Sequence, residues 1–158
     1  LTRKPKLYAH PYGEFSPELN DIIAGLGMRG FGQQSGPAGR YSDPQAIPRF
    51  PTTNVFGALE EFKKRAVMQQ LPVLSFSPKS PLLRAGGFTF TMQIERVRGL
   101  RNLQCFDAQG RQLKLEGAAT KYWMKVKGFK QPGRHKFNCT AQQKEQTLWY
   151  SFPWVVPN

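Results

Sequence analysis

The sequence of 158 residues predicts an α+β protein in which a segment typical of an α/β barrel precedes an antiparallel, loosely immunoglobulin-like β-sandwich. A strand, a tight turn and a capped helix follow one another at the start of the chain, as they do in the active-site loops of α/β barrels. After residue 72, several short runs alternate apolar and polar side chains, which is typical of half-buried strands. These patterns predict two units, residues 1–72 and residues 73–158.

The first unit begins with a strand at Lys6 to Tyr8. Pro11 and Gly13 favour a tight turn after this strand, because proline presets one φ angle and glycine permits a positive one. Ser16 is the predicted N-cap of a helix with Pro17 at its first position. The start of the chain therefore predicts strand, turn and helix in direct succession.

A long irregular segment, residues 31–51, follows this helix, since its glycines and prolines forbid a continuous element. Long loops in compact domains are usually functional or mobile, so this segment is either a functional loop or a disordered surface loop. A second helix is predicted next, and its buried stripe consists of Val55, Leu59, Phe62 and Ala66.

The second unit contains about six or seven short predicted strands separated by turn residues such as Gly86-Gly87 and Gln131-Pro132-Gly133-Arg134. The main predicted strands are Phe88 to Ile94, Leu100 to Phe106, Leu113 to Leu115, Tyr122 to Lys127, His135 to Ala141 and Leu148 to Val156. Regular spacing of this kind predicts the sandwich.

The chain has two cysteines, Cys105 and Cys139, which fall in separate predicted strands. The alternation places both inward, so we expect them to face each other across the sandwich and to form a disulfide in an oxidising compartment. Two buried free thiols are the alternative.

The positive charge of the chain is concentrated in the second unit. Residues 1–72 carry nine basic and six acidic side chains, and residues 73–158 carry fourteen and four, which gives +3 and +10 of the net +13. A basic domain can bind nucleic acid, but this one has no recognisable nucleic-acid motif, so we expect no nucleic-acid partner and a basic face near an anionic surface instead. No apolar run approaches the roughly 18 residues of a membrane helix, so no membrane span is expected.

Three segments of the first unit occur in the order and spacing of a known family: Pro11 to Phe15, Gly27 to Gly36, and Pro48 to Pro51. Together they resemble the later part of a polysaccharide deacetylase, a family 4 carbohydrate esterase. The resemblance implies the C-terminal fragment of an irregular (β/α) barrel. It also implies a periplasmic or secreted hydrolase that removes acetyl groups from an N-acetylated polysaccharide.

The resemblance assigns roles to several residues. The backbone N–H of Tyr12, held by Pro11 and Gly13, corresponds to the donor that binds the oxyanion formed during deacetylation; the alternative is an ordinary turn with a packing tyrosine. Ala9 stands where the family has an arginine. His10, Arg40 and Arg49 are the candidates for contacting substrate, and either arginine could replace the missing one. For His10 the alternative is a surface or packing residue. In an esterase of this kind, residues 31–51 would help to line the sugar cleft.

The metal ligands of the family, an Asp and two His, lie on motifs that precede the Pro-Tyr-Gly turn and have no counterpart here. The chain contains only two histidines, His10 and His135, whereas a zinc hydrolase needs about three protein ligands. We therefore expect no metal in this chain, and zinc or another divalent ion in an intact enzyme whose N-terminal half completes the catalytic domain.

A second function is compatible with the same sequence. The basic, strand-rich half can be a non-catalytic module that binds a polysaccharide or a partner at a cell surface. Upstream sequence carrying the metal motifs would favour the deacetylase.

Overall fold

The computed structural model describes residues 4–83 and 86–157. In these ranges the chain forms two α-helices and eleven β-strands. The helices are α1 (Pro17–Gly25) and α2 (Leu59–Ala66). The strands are β1 (Leu7–Ala9), β2 (Arg29–Phe31), β3 (Gln69–Gln70), β4 (Val73–Ser77), β5 (Phe88–Ile94), β6 (Leu100–Phe106), β7 (Gln112–Leu113), β8 (Glu116–Ala118), β9 (Lys121–Val126), β10 (Gly133–Gln143) and β11 (Gln146–Val156).

The start of the chain is a small strand–helix–strand unit. β1 and β2 pair in parallel, and α1 connects them. The hydroxyl of Ser16 accepts a hydrogen bond from the backbone N–H of Leu19 at 3.2 Å, which confirms the predicted N-cap. Ile23 is the residue through which α1 packs into the interior, with 2% of its surface exposed.

The predicted fold class is wrong, because the first unit is not a fragment of a (β/α) barrel. β1 and β2 have three residues each and pair with one another in a separate two-stranded sheet. The next strand, β3, pairs with β11 instead of extending this sheet. The described chain is a small, mostly β protein with three sheets and two short helices.

Two larger sheets enclose the main hydrophobic core. The strand order is β3-β11-β10-β6-β7 in the five-stranded sheet and β4-β5-β9-β8 in the four-stranded sheet. Inward side chains alternate with exposed ones, most clearly in β5, where every second residue from Phe90 to Ile94 is buried. We refer to these two packed sheets as the sandwich.

Aromatic rings fill the centre of the sandwich and join its sheets. The rings of Phe90 and Phe152, which belong to different sheets, lie 4.8 Å apart, and those of Phe137 and Trp154 lie 4.5 Å apart. Each of these four side chains is at most 2% exposed. Burying a large aromatic side chain stabilises a fold by roughly 1.5–3 kcal/mol, so this cluster is a principal source of stability.

Cys105 and Cys139 form a disulfide, but not across the sandwich as the alternation suggested. They are directly opposed on the neighbouring strands β6 and β10 of one sheet, with Cα atoms 4.0 Å apart. Both are fully buried. Inward-pointing residues on adjacent strands meet side by side, and the sequence pattern does not distinguish this arrangement from a meeting of two sheets.

The second helix differs from its prediction. α2 begins at Leu59, and Leu59 and Phe62 are 64% and 54% exposed, so the expected buried stripe lies on the surface. The side chain of Val55 lies outside the described part of the structure. Beyond α2, β3 and the fully buried Leu71 already belong to the sandwich; the division at residue 72 stays a prediction.

Candidate functional site

A concave surface lies where the strand–helix–strand unit at the start of the chain, the N-terminal unit, meets the sandwich. It is an open groove of about 710 Å³, which we call the junction groove. Its polar lining consists of Asn20, Asp21, Gln34, Arg40, Ser42, Asp43, Gln45, Ser75, Lys79 and Ser151, and its aromatic lining of Phe15, Tyr41, Phe76 and Tyr150. Binding sites commonly occupy concave surfaces between structural units, where a few polar groups converge on an apolar floor.

The segment after β2 forms one wall of the junction groove. It turns back along β2, because the N–H of Gly30 donates to the carbonyl of Pro44 at 3.1 Å and that of Ile47 donates to Gly30 at 2.8 Å. The carboxylate of Asp43 accepts from the N–H of Gln45 at 2.8 Å and so stabilises the turn. The glycines and prolines of this segment forbid a regular element, and they permit the chain to turn back along β2.

Hydrogen bonds attach the same segment to the sandwich. The indole N–H of Trp149 donates to the carbonyl of Ser35 at 3.0 Å, and the backbone N–H of Tyr41 donates to the Gln70 side chain at 2.9 Å. The two walls of the junction groove are therefore linked by specific contacts.

Arg40, Tyr41 and Glu95 form a polar cluster at the rim. The Arg40 guanidinium and the Tyr41 hydroxyl both donate to the Glu95 carboxylate, and Arg40 also lies over the Tyr41 ring, 4.6 Å from its centroid. The hydrogen bond from Tyr41, followed by that from Arg40, holds the pKa of Glu95 below its usual value of 4.5. Arg40 lines the junction groove, and its contact with substrate stays a prediction.

The Glu95 carboxylate should titrate below pH 4.5, which a pH series of carbon-13 spectra of its carboxyl group can measure. A pKa lower in the folded than in the unfolded state means that the cluster contributes stability above pH 4.5. That contribution is lost as the pH falls through the lowered pKa. Arg40→Ala should raise the Glu95 pKa, and a carboxyl that titrates at or above 4.5 in the unchanged protein contradicts this account.

Asp43 and Tyr150, on opposite walls, give the junction groove a fixed charge pattern. The Asn20 amide donates to the Asp43 carboxylate at 3.3 Å. Burial, and then the negative charge of Asp43, raises the pKa of Tyr150 to about 12. Tyr150 therefore stays a neutral phenol at ordinary pH. Sequence reasoning did not single out Asn20, and it did not place Asp43 beside Tyr150, because no local pattern connects positions 20, 43 and 150.

The Pro-Tyr-Gly turn lies outside the lining of the junction groove. Pro11 to Gly13 form a short 3-10 turn in which Tyr12 and Gly13 have φ angles of 55° and 73°. Tyr12 is 72% exposed, and its backbone carbonyl accepts a hydrogen bond from the Arg134 guanidinium at 3.1 Å. A positive φ at a tyrosine is uncommon. The oxyanion role assigned to its N–H stays a prediction.

The two remaining candidates are not brought to the groove. His10 is 2% exposed, packs between the rings of Tyr8 and Phe15, and contacts the carbonyl of Gln45 through Nε2 at 2.7 Å. Its position is that of a packing residue under β1. Arg49 is exposed and does not line the groove.

No group of three or more His, Cys, Asp or Glu side chains able to hold a metal ion occurs within residues 4–83 and 86–157. The expectation of zinc or another divalent ion in an intact enzyme stays a prediction. None of the described helices combines the length and the apolar character needed to cross a membrane.

Comparison with known proteins gives no family assignment. No protein-family profile matches the chain, and no curated protein matches it. Among solved structures, it is similar to the endo-β-1,4-mannanase from Thermotoga petrophila, with 16% identity and a TM-score of 0.46. The match covers 89% of this chain and 34% of the mannanase chain. A likeness at this level supports neither a shared fold family nor a shared activity.

The resemblance to polysaccharide deacetylases is therefore wrong as an assignment. No family profile supports it, and the described chain is mostly β where a barrel fragment was expected. The three short motifs depend on glycine, proline and aromatic residues, which turns in unrelated folds also require.

Proposed function

We propose that this chain is a non-catalytic module that binds an N-acetylated polysaccharide in the junction groove. The observation that carries the proposal is the composition of the groove, in which carboxylate, amide and cationic groups surround aromatic and aliphatic surface. Each sugar hydroxyl both donates and accepts hydrogen bonds, and an acetamido group adds an N–H, a carbonyl and a methyl group. The groove has counterparts for all of these.

The polar groups are distributed so that they match both kinds of hydrogen-bonding partner. Asp21 and Asp43 accept hydrogen bonds, and Arg40 and Lys79 donate them. Leu74, which is 54% exposed, and the half-buried Phe76 supply apolar surface for the methyl group and the sugar ring. Exposed apolar side chains next to polar groups are typical of binding grooves.

A binding role accounts for the state of the ionisable groups better than a catalytic one. Arg40 is paired with Glu95, Asp43 is hydrogen-bonded to Asn20 and Gln45, and Tyr150 has a pKa of about 12. General acids and bases work best with a pKa near the working pH. Tyr150, with a pKa of about 12, is instead suited to fixed hydrogen bonding.

The buried disulfide supports an extracytoplasmic location, where such polymers occur, because disulfides persist in oxidising compartments. We propose that the module is periplasmic or secreted.

Arg40→Ala should weaken binding of N-acetylglucosamine oligomers by about tenfold or more, since a hydrogen bond from a charged group contributes roughly 1.5–3 kcal/mol. Arg49→Ala is the matched control, because Arg49 belongs to the same segment but does not line the groove. Calorimetric titration measures both, with glucose oligomers as the ligand that lacks the acetamido group.

Three results would contradict the proposal: equal affinity for glucose oligomers, equal losses in the two arginine variants, or catalysis. The chain should release neither acetate nor new reducing ends from the oligomers. Thermal unfolding of both variants checks the fold; loss of the exposed pair between Arg40 and Glu95 should change stability little.

A further inference from the structure

A second groove, of about 530 Å³, lies at the side of the sandwich where β7 and β9 are found. Its cationic lining consists of Arg111, Lys114, Lys125, Lys127, Lys130 and Lys136, and we call it the basic groove. The junction groove lies beside β4 and β11 instead. β4 is at one edge of the four-stranded sheet and β9 is near the other, so the two grooves are separate sites.

The positive charge of the basic groove is not neutralised by the protein. Asp107 is the carboxylate among its lining residues, and it is engaged by Arg111, whose Nε lies 2.7 Å from Oδ2. Burial opposes ionisation of Asp107, but hydrogen bonds from Arg111 and Gln109 outweigh it and hold the Asp107 pKa below its usual value. Within the described ranges, none of the five lysines has a carboxylate within 4.0 Å.

The spacing of two of these lysines makes their repulsion significant. Lys125 and Lys127 are exposed and occupy alternate positions along β9 and its end, which places their Cα atoms about 7 Å apart. The Debye length at physiological ionic strength is about 8 Å, so salt does not fully screen charges at this separation. An anionic ligand would relieve the repulsion on binding.

An aromatic side chain continues the same row. Trp123 precedes Lys125 by two residues on β9 and is 44% exposed. A strand directs alternate residues to one face, so the tryptophan and the two lysines lie on the same side. Trp123 lies beyond the residues that line the basic groove and is paired across the sheet with Glu116, so only a polymer that extends from the groove along β9 meets the two lysines and then this tryptophan.

We propose that the basic groove binds an acidic polysaccharide, a polymer with carboxylate groups on its sugar rings. The groove is concave and has room for a single polymer chain, whereas a nucleic-acid duplex or a membrane presents a broad surface. Single-stranded nucleic acid is bound by several stacking aromatics in succession. Here Phe129 is already stacked on His135, with ring centroids 3.9 Å apart, and Phe137 is buried, which leaves Trp123 alone on the row.

The buried disulfide favours the same ligand class. It belongs to the sheet that carries Lys136, and disulfides persist in oxidising compartments, where acidic polysaccharides occur. The proposal does not depend on the junction groove, because the two grooves share no lining residue.

The test compares two double variants that remove the same charge. K125Q/K127Q changes the basic groove, and K4Q/K6Q removes two exposed lysines, also two residues apart, from the start of the chain. The probe is oligogalacturonate, measured by calorimetric titration at two salt concentrations, with its methyl ester as the uncharged control. Each lost ion pair contributes up to about 1 kcal/mol, so K125Q/K127Q should bind about tenfold more weakly.

K4Q/K6Q should stay within about twofold of the unchanged protein, and higher salt should weaken binding of the acid but not of the ester. Equal losses in the two double variants would show that net charge alone matters and would overturn the proposal. Equal affinity for the ester would overturn it too.

Tighter binding to a single-stranded oligonucleotide of matched charge, or to phosphatidylglycerol vesicles, would overturn the assignment to polysaccharide. Arg40→Ala should leave oligogalacturonate binding unchanged, which separates this test from that of the junction groove.

Discussion

Reducing the disulfide between Cys105 and Cys139 should lower the free energy of unfolding by roughly 3 to 4 kcal/mol. The two residues are 34 apart in sequence, and the bond removes conformational freedom from an unfolded loop of this size. For a protein of 158 residues, such a loss corresponds to a fall in melting temperature of roughly 10 °C. Thermal unfolding with and without reductant measures it.

Comparison of the oxidised and reduced protein separates the crosslink from packing. Both forms keep the buried sulfur atoms, so their difference reports the bond itself, whereas C105A/C139A also loses the volume of two thiols. We expect C105A/C139A to be at least as unstable as the reduced protein. Two titratable thiols in protein purified under oxidising conditions, or melting temperatures that agree within about 2 °C, would contradict the bridge as a source of stability.

The local elements of this chain are predictable because their causes are local. Ser16 and Pro17 define the start of α1 through one side-chain hydrogen bond and one preset φ angle, and both belong to the helix itself. The alternation in Phe88 to Ile94 likewise predicts β5 with its observed bounds. These signals need no knowledge of the rest of the fold.

The pairing of elements is not predictable in the same way. β1 and β2 have the local chemistry of barrel strands, but what decides the fold is which strand lies beside them. β3, with only two residues, Gln69 and Gln70, joins the sandwich through β11, almost 80 residues later in the chain. The sequence around it contains no alternating run. The same limit explains why two inward cysteines were expected on opposite sheets and are found on adjacent strands.

The junction groove was predicted in part for a physical reason. Residues 31–51 were expected to line a cleft, and Arg40, Tyr41 and Asp43 do so, because a loop that cannot form a regular element has to pack along the surface of one. Ser75 and Tyr150 come from the opposite wall, which only the tertiary fold brings near. The positive charge of the basic groove was easier to predict, since the charge of its lysines is visible in the composition of the second half of the chain.

Gly13→Ala should destabilise the N-terminal unit by roughly 2 to 5 kcal/mol, since it combines two unfavourable effects. Gly13 has a φ of 73°, a region that costs an L-residue about 1–2 kcal/mol. A Cβ atom added there would lie 2.5 Å from Cβ and 2.7 Å from the backbone nitrogen of Gln33, so the neighbouring chain would have to move. Overpacking of this kind costs roughly 1–3 kcal/mol more.

Gly27→Ala is the matched control for the overpacking effect. Gly27 has a nearly identical φ of 70°, but an added Cβ atom meets nothing within 4 Å, so only the backbone cost of about 1–2 kcal/mol applies. Denaturant unfolding gives the total effect of each substitution, and amide exchange in residues 7–31 shows whether it is confined to the N-terminal unit. Because the two substitutions share their chemistry and their φ angle, the difference between them measures the contact between the Pro-Tyr-Gly turn and Gln33. Equal destabilisation by the two would mean that Gln33 yields without cost and that this contact does not hold the turn in place.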